Sequence, residues 1–110
     1  MATNDTKGVA LVAGGSGIVG HSVALELKRQ GWKVRALARR PVKGVDTIAV
    51  DLTDRSATAA SLSLASDTTH LFYAALSPDP YLSIEVERNG RMLGNVLEGY
   101  FAYFAVPTNT

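Results

Sequence analysis

The sequence contains no cysteine. That excludes a disulfide framework, a thiolate metal site and a cysteine nucleophile, and it fits a cytoplasmic protein. Charge is sparse as well: 19% of the 110 residues are acidic or basic, and the net charge is +1. A broad nucleic-acid-binding face, which needs clustered Lys and Arg, is therefore not expected. No apolar run approaches the ~20 residues of a membrane-spanning helix, and the polar start Met1-Ala-Thr-Asn-Asp-Thr-Lys7 lacks the apolar centre of a signal peptide. Histidine is limited to His21 and His70, which suit surface or packing roles better than a metal site or a proton relay. No lysine follows Lys43. The remaining composition, 46% apolar, is that of one folded domain with one core.

Glycine is what the chain has in a telling place. Val9-Ala-Leu-Val-Ala-Gly14-Gly-Ser-Gly17-Ile-Val-Gly20 is a short apolar strand that breaks into glycines and reopens as a helix. Bare N–H groups at such a helix start, together with the positive end of its dipole, suit a pyrophosphate. In this reading Gly14 allows the tight turn, Gly17 the close approach of phosphates, and Gly20 the packing of helix on strand.

The remaining pattern predicts strands alternating with helices. Residues 1–7 read as a flexible tail. Strands are expected at about 8–13, 33–38, 47–50 and 70–75, and helices at about 16–30, 54–64 and 81–99. Val19, Val23 and Leu27, with Ala24 beside them, form the expected buried stripe of the first helix, and Val86, Leu93, Leu97 and Tyr100, flanked by Met92 and Val96, that of the last. Lys28 and Arg29 suit the negative end of the first helix, and Gly31 its left-handed stop. Parallel βαβ units joined by right-handed crossovers predict an α/β, partial Rossmann fold. Its sheet would hold 4–5 strands in the order 3-2-1-4, with helices on both faces and a crevice where strands one and four diverge.

Chemistry concentrates at the strand ends. Where an NAD-binding unit usually carries Asp or Glu, this chain has Ala38-Arg39-Arg40. Guanidinium forks bind a 2′-phosphate that a carboxylate would repel, so NADP(H) is expected over NAD(H). Asp51 could accept from the adenine amine while Leu52 packs on the ring, or it could be a capping or loop aspartate. Ala74, Ala75 and Leu76 would let a dinucleotide pass close to the backbone, a place equally suited to a buried strand end. Asp51 and Asp54 are more simply helix caps or loop residues than cation ligands. Trp32 reads as an anchor at the helix-to-strand turn.

Together, Val12-Ala-Gly-Gly-Ser-Gly-Ile-Val-Gly20, Ala38-Arg-Arg40, Asp51-Leu-Thr-Asp54, Thr69-His-Leu-Phe-Tyr73 and Asn89-x-x-Met92-x-x-Asn95-Val-Leu97 resemble the short-chain dehydrogenase/reductase superfamily. The branch is the extended, epimerase/dehydratase-like one, and within it the pattern looks like the progesterone 5β-reductase/iridoid synthase-type enone reductases. The resemblance covers about residues 8–99. It implies that Ser16, Gly17, Ile18 and Val19 meet the pyrophosphate, Arg39 and Arg40 the 2′-phosphate, and Asp51 and Leu52 the adenine. Ala75 and Leu76 would line the cofactor channel. It departs at Leu76, where those enzymes tend to carry an aromatic residue.

Reductases of this superfamily use a tyrosine whose pKa a nearby lysine lowers. No Tyr-x-x-x-Lys is present, so no catalytic residue is assigned, and no metal ligand either. The expected function is the NADP(H)-binding half of an NADPH-dependent oxidoreductase, with a small-molecule substrate only when a further C-terminal part completes it. The alternatives are an NmrA-like, non-catalytic NADP(H) sensor or an inactive truncated fragment. The tail Tyr100-Phe-Ala-Tyr-Phe-Ala-Val106 no longer resembles the family. It is expected either as an improvised fifth strand or as a product of truncation. A free sheet edge and this uncharged aromatic run make self-association, as a homo-oligomer, a further expectation.

Overall fold

The computed structural model describes residues 7–103, with side chains to residue 100. The elements run β1 (Val9–Ala13), α1 (Ile18–Arg29), β2 (Lys33–Ala38), β3 (Asp46–Ala49), α2 (Arg55–Ser63), β4 (His70–Tyr73) and α3 (Leu82–Tyr103). The strands form one parallel sheet in the order β3-β2-β1-β4. The alternation of strands and helices thus gives the expected topology, with β1 central and flanked by β2 and β4.

Each strand divides its side chains between two layers, because successive residues face opposite sides of a sheet. Ala10, Val12, Val34, Ala36 and Ala38 pack with Ala24 of α1 and with Val42 and Val45 of the β2–β3 loop. Leu11, Ala13 and Leu37 pack with Val50, Leu52, Leu62, Ala65, Met92 and Val96 under α2 and α3. Strands buried on both faces explain the near-continuous apolar run of β1.

Helix ends follow local chemistry. Gly31 has φ +97° and closes α1, with Trp32 N–H donating to Leu27 O at 3.0 Å. Asp54 caps α2 by accepting from Ala57 N at 3.0 Å. Trp32 stands edge-on to His70 and Phe72, with centroids 4.8 and 6.1 Å away.

Four expectations are corrected. Val19 is 67% exposed, because the first turn of α1 rises past the strand ends; Gly20 and Ala24 are the buried positions. The buried stripe of α3 is Met92, Val96 and Gly99, with Asn89 and Tyr100 half-buried, whereas Val86, Leu93 and Leu97 face outward. The strand predicted to 75 ends at Tyr73, although Ala74 N–H still donates to Ala13 O at 2.8 Å. Finally, Gly99 does not end α3, and residues 100–103 are helical rather than a fifth strand. A Cβ on Gly99 would stand 2.4 Å from Leu62 Cδ1, so this glycine serves close packing of α3 on α2 rather than a stop. The expected flexible tail at residues 1–6 and the sequence beyond 103 lie outside the described residues.

Candidate functional site

The site begins where β1 runs out. Gly14 turns the chain with φ +88°, its N–H donating to Leu37 O at 2.8 Å. A side chain there would strike the Ala75 backbone at 2.5 Å. A Cβ on Gly20 would lie 2.2 Å from Gly14 O, and one on Gly15 would lie 2.7 Å from Ala36 Cβ. These three glycines let the loop, α1 and the segment after β4 converge. Gly17 differs: a Cβ there would meet nothing closer than Gly14 O at 3.7 Å. Gly17 is also the N-cap of α1, with no side-chain cap bond and no acidic residue in the first turn. The uncapped donors and the positive dipole end therefore open outward, as an anion requires.

Beside this loop lies a cleft of about 270 Å³. It brings together Gly14, Ser16, Arg39, Asp51, Leu52, Ala75 and Leu76, residues far apart in sequence. Leu76 also borders a second, apolar depression with Gly17, Ile18 and Val19. Gly20 is buried beneath the loop and lines neither, and Arg40 stands exposed next to Arg39 outside both.

Charge sets two arginines apart. Arg29, Arg35, Arg55, Arg88 and Arg91 each meet a carboxylate: Glu26, Asp67, Glu98, Asp79 and Glu87 in turn. Among the described residues, Arg39 and Arg40 form no such pair. Asp51 is exposed, and its Oδ1 accepts from Thr53 N at 3.0 Å and Thr53 Oγ1 at 2.7 Å. Those bonds, with Arg39 and Arg91 farther off, hold its carboxyl below the usual range. Asp51 is thus a loop-ordering aspartate that also borders the cleft.

Helix α3 supports the cleft walls through residues to which the sequence reading gave no role. Asn89 clamps Ser77 from both sides: Ser77 N donates to Asn89 Oδ1 at 2.7 Å, and Asn89 Nδ2 donates to Ser77 O at 3.0 Å. Asn95 Nδ2 donates to Leu52 O at 2.9 Å. Arg88, at the cleft edge, donates to Asp79 Oδ2 at 2.8 Å and to Pro78 O at 3.3 Å. Asp79 also accepts from Tyr81 N, and these bonds lower its pKa. The available signal was two asparagines beside Met92 on one helix face, since a polar side chain there needs a fixed partner.

Among the described residues no tyrosine lines the cleft. Tyr73 packs with the α2–α3 layer, its buried hydroxyl has no hydrogen-bond partner among the described residues, and burial pushes its pKa up. An activated tyrosine needs the opposite shift. His21 Nε2 lies 3.0 Å from Lys43 O, and His70 Nδ1 lies 2.8 Å from Thr69 Oγ1. Among the described residues no cluster of His, Asp or Glu could hold a metal ion, and no helix is long and apolar enough to cross a membrane.

Solved structures share this fold at low identity. A short-chain dehydrogenase from Burkholderia cenocepacia, in complex with NADP, superposes with TM-score 0.75 at 23% identity, over 92% of this chain and 49% of that one. UDP-N-acetylglucosamine 4-epimerase from Bacillus cereus gives 0.70 at 18%, over 86% and 33%. Among curated proteins, a 3-oxo-Δ(4,5)-steroid 5β-reductase of Arabidopsis thaliana is 37% identical over 88% of this chain and 28% of its own length. An (S)-8-oxocitronellyl enol synthase of Camptotheca acuminata is 39% identical over 87% and 27%. The chain therefore spans little more than a quarter of the length of these relatives. The family model for NAD dependent epimerase/dehydratase proteins matches residues 10–98, from the first buried residue of β1 to the part of α3 that braces the cleft. With the glycine loop, the 3-2-1-4 sheet and the cleft at its switch point, that match makes this chain a member of the NAD-dependent epimerase/dehydratase family.

Proposed function

We propose that the chain binds NADP(H) in preference to NAD(H), and that it is the cofactor-holding part of an NADPH-dependent reductase of enones or carbonyls. The observation that carries this reading is the pair Arg39 and Arg40, without ion-pair partners among the described residues, Arg39 lining the cleft beside the Gly14 turn and Arg40 exposed next to it. Unpaired guanidinium groups beside a dinucleotide cradle suit a 2′-phosphate through charge-assisted hydrogen bonds.

In this reading Ser16, Gly17, Ile18 and Val19 receive the pyrophosphate at the uncapped start of α1. Asp51 and Leu52 border the adenine end, and Ala75 and Leu76 form the wall along which the dinucleotide passes. When bound, the cofactor supplies a hydride to an electron-poor carbon. These 110 residues hold no Tyr-x-x-x-Lys, and the buried Tyr73 phenol is shifted the wrong way. The chain's own task is therefore to bind and orient the cofactor, and proton delivery falls to other groups. The lack of a proton-donating pair also favours a second reading, a binding-only sensor of NADP(H).

Fluorescence titration of NADPH and NADH against wild type and Arg39→Ala/Arg40→Ala tests the cofactor assignment. Loss of both guanidinium contacts should cost ~1.5–3 kcal/mol, roughly tenfold or more in NADPH affinity, with NADH little changed. Equal affinity of wild type for the two cofactors would refute it. Following NADPH absorbance with a simple enone present should show no turnover by the pure chain; turnover would exclude the sensor and overturn the assignment of proton delivery to other groups.

A further inference from the structure

We infer that His21 and Lys28 are positioning residues that set the preference for NADP(H), by latching the loop that carries Arg39 and Arg40 onto α1. The inference rests on the cofactor reading above. The β2–β3 loop leaves β2 through Arg39 and Arg40 and returns at Asp46. Its inner side is pinned, with Val42 and Val45 buried against Ala24. Val45 N donates to Val42 O at 3.0 Å, and Thr47 Oγ1 accepts from Val42 N and donates to Val45 O, both at 3.0 Å.

The outer side is held by α1 alone among the described elements. Lys28 Nζ donates to Gly44 O at 2.6 Å. Lys43 O, which can only accept, lies 3.0 Å from His21 Nε2, so that nitrogen carries the proton. His21 and Lys28 stand two turns apart on one helix face. Leu25 lies between them, its Cδ2 3.6 Å from where a Cβ on Gly44 would be. Gly44 itself has φ +79°, a turn that exposes adjacent carbonyls to both donors.

The consequence is mechanical. The helix whose N-terminus would hold the pyrophosphate also fixes the platform of the 2′-phosphate arginines. Pre-organising that platform lowers the entropy lost when the guanidinium groups are ordered on the phosphate, and adds nothing to a cofactor that lacks one. The cofactor ratio, rather than overall affinity, is the property that should move.

The test titrates NADPH and NADH against the full chain in wild type, His21→Ala, His21→Gln and Lys28→Met, with thermal melting as the measure of folding. NADPH affinity should fall roughly three- to tenfold in His21→Ala and in Lys28→Met, while NADH affinity changes by less than about twofold. His21→Gln, which keeps a side-chain N–H donor, should recover most of the preference. In the background of Arg39→Ala/Arg40→Ala the latch substitutions should have no further effect on NADPH. If His21→Ala fails to fold, the exposed Lys28→Met and the donor-retaining His21→Gln still decide the matter. Equal losses for both cofactors, or an unchanged ratio in a wild type that does prefer NADPH, would overturn the latch alone. A wild type with no preference would overturn the arginine reading and the latch with it.

Discussion

The two faces of the sheet are built on different scales. Beneath α1 the fully buried side chains are alanine and valine, with Val23, Leu27, Trp32 and Phe72 partly buried against them. Beneath α2 and α3 they include Leu11, Leu37, Leu52, Leu62 and Met92. Small side chains bring α1 and its glycine loop down onto the strand ends, where backbone rather than side chain lines the cleft. The role of α3 at the site is carried by Asn89, Asn95 and Arg88 reaching across to loops. One face supplies the cradle by close approach, and the other braces it by hydrogen bonds.

Glycine substitutions break this comparison most sharply. Gly20→Ala should destabilise by about 3 kcal/mol, since its Cβ would collide with the Gly14 carbonyl and only a backbone shift relieves it. Urea unfolding would measure this; a change under about 1 kcal/mol would mean that α1 is not tightly seated. On the opposite face, Asn89→Ala leaves the Ser77 N–H and carbonyl without their clamp and should cost about 2 kcal/mol. Faster hydrogen exchange confined to the segment after β4 would accompany it. An unchanged exchange pattern there would show that α3 does not brace the cleft.

Gly90→Ala should do the reverse of Gly20→Ala. Nothing lies within 4 Å of its added methyl, so helix propensity alone should raise stability by about 0.5–1 kcal/mol, readable as a higher melting temperature. The same chemical change thus takes opposite signs in the two helices.

The smallest effect concerns acid stability. Asp67 pairs with Arg35 and Lys33, and these contacts, Arg35 first, lower its pKa in the folded chain. A depressed folded pKa gives a contribution that is present above the unfolded value of about 3.9 and is lost as pH falls through the folded one. Asp67→Asn should therefore flatten the acid limb of a stability–pH profile below about pH 4. An unchanged slope would show that the exposed pair is fully screened.

Much of this was legible in the chain. The order of strands and helices and the sheet topology followed from local pattern and spacing, and Gly14, Ser16, Arg39, Asp51, Leu52, Ala75 and Leu76, named from the glycine pattern, the strand ends and the family resemblance, border one cleft. The burial of α3 did not. Val86, Leu93 and Leu97 are more apolar than Asn89 and Gly99, and periodicity favours the former. Contact with Leu62 and Ser77 selects the latter, whereas Tyr100 packs on the core as its spacing predicts.

Local chemistry fixed the glycine turn, the capping aspartate of α2 and the two arginines after β2, because turn dihedrals, N-cap bonds and charge are decided within a few residues. Which arginines keep unpaired charge, which helix face is covered, and how α1 reaches across to the β2–β3 loop were decided by packing. Those properties depend on groups that only the folded sheet brings within hydrogen-bonding distance.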